Sequence, residues 1–523
     1  MTPTRVTPTR VTPTRMAQVR TESPHVSVGR MHEAELHADL SRVTAQLFVP
    51  GEEMGQTRSR AAQVVARVME IAEADVEQIA RQVVDDFAAH SGDLTALLMH
   101  HADVVSSRLN DDSELSEARK LVLGATFTAE FAVEGAALCN PSAVEHPDQS
   151  GLEAGQVRLA IGVRAIGEGH ISSIGFAEAI VGPGREWRFD ERQSPLARAA
   201  LAEGQWSLAH FRRAVEHEGI IDEVASALIR ALPWQFTATD LEVAIASLPH
   251  ELTTRLDCHR QLDEVRQLVA SIYLAHFDPD TALSQRVLMP VSVEEHHGME
   301  DARFVVMTDA DGATEYRATY TAYDGHHIAP RLITSPDLRQ FAIQRLTGNA
   351  AHNKGMALFP RLVGGRHLSL SRTGGESISL ASSPDGLNWN LLGTVHTPVQ
   401  PWELIQSGNC GSPLETPQGW LVLTHGVGPM RTYSLGALLL DLDDPTIVLS
   451  RTTTPLLSPG AEWHSGYVPN VVYSCGGIIV DGVLWVPVGI GDVRIGVFSV
   501  EVDELLASMT PGATETSALA SLD

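Results

Sequence analysis

Two periodicities divide the chain. RAAQVVARVMEIAEADVEQIARQVVDDF and LTALLMHHADVVSSRL carry apolar residues three and four apart, with Gly92 between them. That spacing predicts amphipathic helices, so residues 31–122 read as an N-terminal helical region. From Leu123 the texture changes to short apolar runs broken by turn residues, as in QVRLAIGVRAIGEGHISSIGFAEAIV. Residues 123–194 therefore read as the first part of a β domain. Helical spacing returns in LARAALAEGQWSLAHFRRAVEHE, IIDEVASALIRALP and LTTRLDCHRQLDEVRQLVASIYLAHF, which predicts a helical insert over 195–285. Strand texture then runs over 286–505, the remainder of the β domain. The fold class expected is mainly β with helical additions.

The ends carry no core-forming pattern. MTPTRVTPTRVTPTR is a five-residue repeat, and residues 1–30 are expected to be a disordered tail. Residues 506–523 read as a flexible C-terminal tail.

Within the β part, TSPDLRQF and SSPDGLNW repeat a Ser-Pro-Asp turn, with Thr334 and Ser382 lying 48 positions apart. A period of about 40–50 residues fits propeller blades, and roughly 280 β residues would make five or six of them. Ordinary hairpin turns explain the same repeat, so both readings stay open.

Composition narrows the function. The formal net charge of −27 argues against a nucleic-acid partner. No apolar run approaches the ~18 residues that span a bilayer, and the N-terminus lacks a secretory apolar core. No membrane association and a cytoplasmic location are expected. Cys139, Cys258, Cys410 and Cys475 are far apart with no CxxC pair, as for buried reduced thiols.

Several stretches bear candidate chemistry. HHGMEDARFV places Glu300 and Asp301 before Arg303. Neighbours on a strand face opposite ways, so one carboxylate is expected to enter a cleft while the other holds Arg303. Glycoside cleavage needs such an acid, although a solvated acidic turn looks the same. TYTAYDGHHIAPRL offers Tyr323 and Asp324, groups of the kind that line sugar sites. Its adjacent histidines diverge on a strand, so no metal is expected. HNKGMALFPRLVGGRHLSLSR sets Lys354 and Arg372 at matching ends of a hairpin, where they could grip one anion. GNCGSPLETPQGWLVLTHGVGPMRTYSLGALLLDLDDP carries Glu415, His425, Arg431 and Tyr433 among glycines.

These pieces, in this order, resemble glycoside hydrolase family 130. The matching stretches are CNPS, VRAIGEGHISSIGFA, GMEDAR, YTAYDG, NKGMALFP, ETPQGWLVLTHGV, LLDLDDP and GYVPNVVYSCG. The resemblance implies a five-bladed β-propeller that attacks β-mannosides with inversion, Asp301 acting as general acid through a sugar hydroxyl. It implies a phosphate pocket of Arg164, Lys354, Arg372, His425 and Tyr433. It implies substrate contacts from Asn140, Glu300, Arg303, Tyr323, Asp324, Glu415 and Asp492. Ala302 stands where the family usually has Pro, and Gln406 where many members carry Lys. The latter departure weakens the case for phosphate.

The expected function is an inverting β-mannoside phosphorylase that cuts β-linked manno-oligosaccharides with inorganic phosphate to mannose 1-phosphate. Phosphate is the co-substrate and no cofactor is expected. A phosphorylase needs cations for its anion, whereas an inverting hydrolase needs a second carboxylate roughly 6.5–9.5 Å from the acid. A β-mannosidase with Glu415, Glu462 or Asp492 as base therefore stays open. So do a non-catalytic glycan-binding propeller and a mannosyltransferase using a nucleotide sugar. The helical additions are expected either to cap the pocket or to form a homo-oligomer interface. Linkage and acceptor sugar stay undetermined.

Overall fold

The computed structural model describes residues 25–50, 57–90, 92–109, 115–255 and 257–512. Most of the tail expected over 1–30, and the end of the one expected over 506–523, lie outside these. The protein is mainly β with added helices. Apart from two small hairpin-like pairs, Val43–Leu47 with Thr128–Ala132 and Trp206–Ser207 with Gln235–Phe236, the described β residues fall into five antiparallel groups in chain order.

The first group contains Ala137–Glu145, Val157–Ile166 and Ser172–Val181. The second contains Gly298–Thr308, Thr314–Tyr323, Ile328–Ser335 and Gln340–Arg345. A single parallel pairing, Gly298 with Ser172, joins them into one 11-stranded sheet. The third is a four-stranded sheet from Ala357 to His396. The fourth is built on Gly419–Val427 and Tyr433–Leu440. The fifth is built on Val483–Ile490 and Arg494–Glu501. Central strands such as GWLVLTHGV and VLWVPVGI are buried along their whole length, as expected where both faces are covered. The fifth group meets the first: Cys475 N donates to Pro141 O at 2.7 Å, and Ala143 N to Gly476 O at 3.2 Å.

The helices form two packages. Thr57–Glu70, Glu73–Phe87, Leu94–Leu109 and Glu117–Thr126 make the first. Ser116 caps the last of these by accepting from Arg119 N. The insert supplies Leu208–Glu218, Glu223–Ala231, Ala238–Ala246 and Cys258–Ala270 around a core of Trp206, Phe211 and Phe236. Ser207, Asp222 and Thr237 cap its first three helices.

Four expectations are corrected. Helix does not begin at Met31, because Arg30–Met31 and Leu36–His37 are strands on the Arg494–Glu501 edge. They take the hydrogen bonds that this edge would otherwise leave open. His25–Val26, inside the expected N-terminal tail, likewise pairs with Leu457–Ser458. At the other end, helix Val502–Ser508 buries Leu505, and Thr510 pairs with Arg451. The insert is not wholly helical: Ala200–Glu203 and Tyr273–His276 extend the second group beyond Gln340–Arg345. Among the described residues no helix is long and apolar enough to cross a membrane.

The N-terminal segment is fastened by a buried ion cluster. Glu134 takes Arg42 at 2.9 Å and Arg192 at 2.6 Å, with Arg42 and Glu134 side chains each 2% exposed. Losing the carboxylate would strand both guanidiniums, so Glu134→Ala is expected to cost about 3–5 kcal/mol. Chemical denaturation reads this; a loss below about 1 kcal/mol, as for a surface pair, would contradict it.

Candidate active site

Two β-bulges face each other where the first and second groups meet. One interrupts the pairing between Cys139 and Ser142, the other between Glu300 and Arg303. Bulges re-aim side chains. Asn140 at φ 49° and Asp301 at φ 57° occupy left-handed backbone inside them, a costly conformation typical of functional sites. Asn140 Nδ2 donates to Asp301 Oδ1 across the gap.

Because the pleat is broken, Glu300 and Asp301 do not diverge as the strand rule predicts. Both reach Arg164, whose Nη2 donates to Glu300 at 2.6 Å and Nη1 to Asp301 at 3.2 Å. Its Nε is held by Ser172 Oγ at 2.9 Å. Lys354 Nζ closes on the other Glu300 oxygen at 2.5 Å. Arg303 is held chiefly by main chain and a tyrosine, not by the neighbouring carboxylate expected to hold it. Its Nε donates to Cys410 O at 2.7 Å, Nη1 to Asp301 O at 2.8 Å and Nη2 to Tyr473 OH at 3.0 Å. The Asp301 side chain is no closer to it than 4.0 Å.

Arg372 and His425 sit side by side, and glycines make the room. A Cβ at Gly355 would lie 2.8 Å from Arg372 Cδ. A Cβ at Gly408 would lie 2.8 Å from the same atom and 2.5 Å from His425 Cε1. Neither position accepts a side chain unless Arg372 moves, and at Gly408 His425 must move as well. Tyr433 lies nearly parallel to the His425 ring at 6.0 Å, and Tyr473 meets it edge-on at 4.9 Å.

Electrostatics sets the protonation states. Burial alone would raise the Asp301 pKa, but Arg164, Arg303 and Lys354, with the Asn140 hydrogen bond, hold it well below the carboxylate range. Burial pushes Asp492 up to about 6, against the pull of Arg164 and with the push of Asp301. Burial, then Arg372 and Arg303, drive His425 far down, so its imidazole is neutral. Buried atoms here lack hydrogen-bond partners: Arg372 Nε, His425 Nε2 and Asp492 Oδ1. Such groups call for an explanation. Arg372 has no carboxylate within ion-pair distance among the described residues, and its guanidinium donates only to Gly375 O at 3.1 Å.

Other predicted residues lie apart from this cluster. Glu415 forms a surface pair with Arg361 at 2.6 Å, which removes it as a base beside Asp301. Its strand, Leu414–Thr416, pairs only with one end of Gly419–Val427, whereas His425 sits near the other end. Tyr323 donates to Gly325 O, and Asp324 caps the amides of His326 and His327 at the turn that follows. Ser172 and Tyr473 join the cluster without being candidates from sequence, although both fall inside the VRAIGEGHISSIGFA and GYVPNVVYSCG motifs. Among the described residues no group of three or more His, Cys, Asp or Glu side chains is placed to hold a metal ion. All four cysteines are buried and unpaired.

The chain is similar in sequence to several characterised proteins. The family described as beta-1,4-mannooligosaccharide phosphorylase matches residues 280–510, which begins after most of the helical insert. A beta-1,2-mannobiose phosphorylase of Listeria innocua is 34% identical over 42% of this chain, which spans 62% of that relative's length. A 1,2-beta-oligomannan phosphorylase of Thermoanaerobacter is 33% identical over 43% of this chain and 75% of its own. The solved Listeria structure covers 72% of this chain and 92% of its own at 22% identity, with a TM-score of 0.41. These relatives are enzymes acting on glycosides. The chain belongs to glycoside hydrolase family 130.

The raised Asp492 pKa has a consequence for stability. Below about pH 4 folded and unfolded chains both hold the proton. Between about 4 and 6 only the folded chain does, so stability falls as pH rises, and the penalty is complete above 6. Asp492→Asn is therefore expected to be more stable than the parent above pH 6, by up to about 3 kcal/mol, with the gap closing below pH 4. Denaturation midpoints at pH 4 and pH 8 test this; a gap of equal size at both would contradict it.

Proposed function

We propose that the protein is an inverting β-mannoside phosphorylase. It takes β-linked manno-oligosaccharides and inorganic phosphate to mannose 1-phosphate and a shortened sugar. The five antiparallel groups are read as the blades of a five-bladed propeller, with the cluster at its axis. The observation that carries the reading is the surplus of cations. Arg164, Arg303, Lys354 and Arg372 stand against Glu300, Asp301 and Asp492, and Arg372 has no carboxylate of its own. Guanidinium and ammonium groups without counter-charges hold phosphate oxygens well. Both relatives described above are phosphorylases, which supports the same choice.

Proton accounting supports it as well. Held down by Arg164, Arg303 and Lys354, Asp301 is an anion and cannot donate. A phosphate dianion on Lys354, Arg372 and Arg164 would offset the charges that keep Asp301 ionised, and so raise its proton affinity. Phosphate oxygen then bonds to the anomeric carbon as the glycosidic bond breaks. Asp301 delivers a proton toward the leaving oxygen, through a sugar hydroxyl as the family resemblance implies. The proton that HPO4²⁻ loses on forming the ester balances the one gained by the leaving alcohol. His425 and Tyr433 line the phosphate side, while Asn140, Glu300 and Asp492 orient the cleaved sugar.

Hydrolysis is a second reading favoured by one feature. Asp492 has a partnerless buried oxygen and a pKa near 6, suited to a base that activates water.

Assay of β-1,2- and β-1,4-mannobiose with and without phosphate separates the two. The expected result is mannose 1-phosphate formed only with phosphate, reduced at least about 100-fold in Asp301→Asn. Free mannose formed at the same rate without phosphate would overturn the reading in favour of hydrolysis.

A further inference from the structure

A polar cavity of about 330 Å³ lies between the insert and the second group. Helix Leu208–Glu218 builds its outer wall with its last two residues, His217 and Glu218. Ion pairs from its middle and its last residue pin the helix there. Arg213 pairs with Asp385 of the third group at 2.5 Å, and Glu218 pairs with the buried Arg345. Arg345 also holds Glu294 at 2.6 Å, and Glu294 contacts the buried Arg331. The His217 ring stacks on His352 at 4.6 Å and 20°.

The cavity sits on the same rim as the catalytic cluster. Glu300 pairs with Thr321, and Thr321 with Pro330, next to Arg331. Two strand spacings, about 10 Å, therefore separate Glu300 from the cavity floor. His352 stands two residues before Lys354 on the loop linking the two places.

Its charge selects the ligand. Arg331 and Arg345 are buried beneath the surface and matched by Glu218 and Glu294. Burial, then the neighbouring His352, lowers the His217 pKa, so that ring is neutral at neutral pH. With Asp324 added, the lining lacks the positive surplus an anion would need. The carboxylates of Glu218, Glu294 and Asp324 remain about one-third exposed, each with free lone pairs for hydroxyl donors. A flat imidazole pair beside them suits the face of a sugar ring.

Resting on the phosphorylase reading, we infer that this cavity is a subsite for a sugar unit beyond the bond cleaved, with the insert as its wall. Chain-length preference is then a property of the insert rather than of the catalytic cluster. His217→Ala removes one face of the cavity and His217→Trp fills it. Both are expected to keep kcat/KM for β-mannobiose within about twofold and to lower it for β-mannotetraose at least about tenfold, through KM. Equal effects on both substrates, or none on either, would overturn the inference. If no mannoside is turned over at all, the phosphorylase reading fails separately. Binding of β-mannotetraose to the Asp301→Asn protein, followed by calorimetry, then decides: binding weakened by His217→Trp sustains the subsite, and binding absent or unchanged refutes it. Unchanged melting of the variants guards against misfolding.

Discussion

A guanidinium shut away from water at the meeting point of three sheets sets the terms for everything around it. Arg303 belongs to the second group, yet its nitrogens are satisfied by a carbonyl that opens the fourth and a tyrosine of the fifth. A buried charge left unpaired is costly, so these partners must arrive together. Their arrival brings the inner strands within reach of each other. It also fixes the backbone oxygen of Asp301, and with it the bulge that turns that side chain toward Asn140 and Arg164.

The same economy explains the polarity of the site. Glu300 and Asp301 interleave with Arg164 and Lys354, whereas Arg372 has no carboxylate within ion-pair distance among the described residues. Gly355 and Gly408 clear a slot for that side chain, and the neutral His425 lies beside it with an unpaired nitrogen. A fold that satisfies Arg303 from three directions has no evident reason to leave Arg372 without a counter-ion, unless one arrives with the reaction. The electrostatic shift that such an anion brings falls on Asp301, which is otherwise locked in its ionised form.

Much of this was legible in the sequence. The alternation of helical and strand texture separated the insert from the β part, because amphipathic period and strand period differ at short range. The residues Arg164, Lys354, Arg372 and His425 were picked out from motifs, and the structure gathers them with Asp301. What was not legible depends on contacts distant in sequence. The strands at Arg30–Met31 and Leu36–His37 exist because an edge some 460 residues away needs covering, not because of local pattern. The opposite-face rule failed at Glu300 and Asp301 because it assumes an unbroken pleat, and nothing in GMEDAR marks the bulge. Glu415 looked like Asp492 on paper, an acid among glycines, but its strand ends beside Arg361 rather than beside Arg164.

Arg372 and its neighbours are proposed to hold a phosphate ion, and equilibrium binding tests that without any sugar. Titration of inorganic phosphate into the protein by calorimetry should show one saturable site, weakened at least about tenfold in Arg372→Met. Absence of saturable binding, or binding that Arg372→Met leaves untouched, would contradict it.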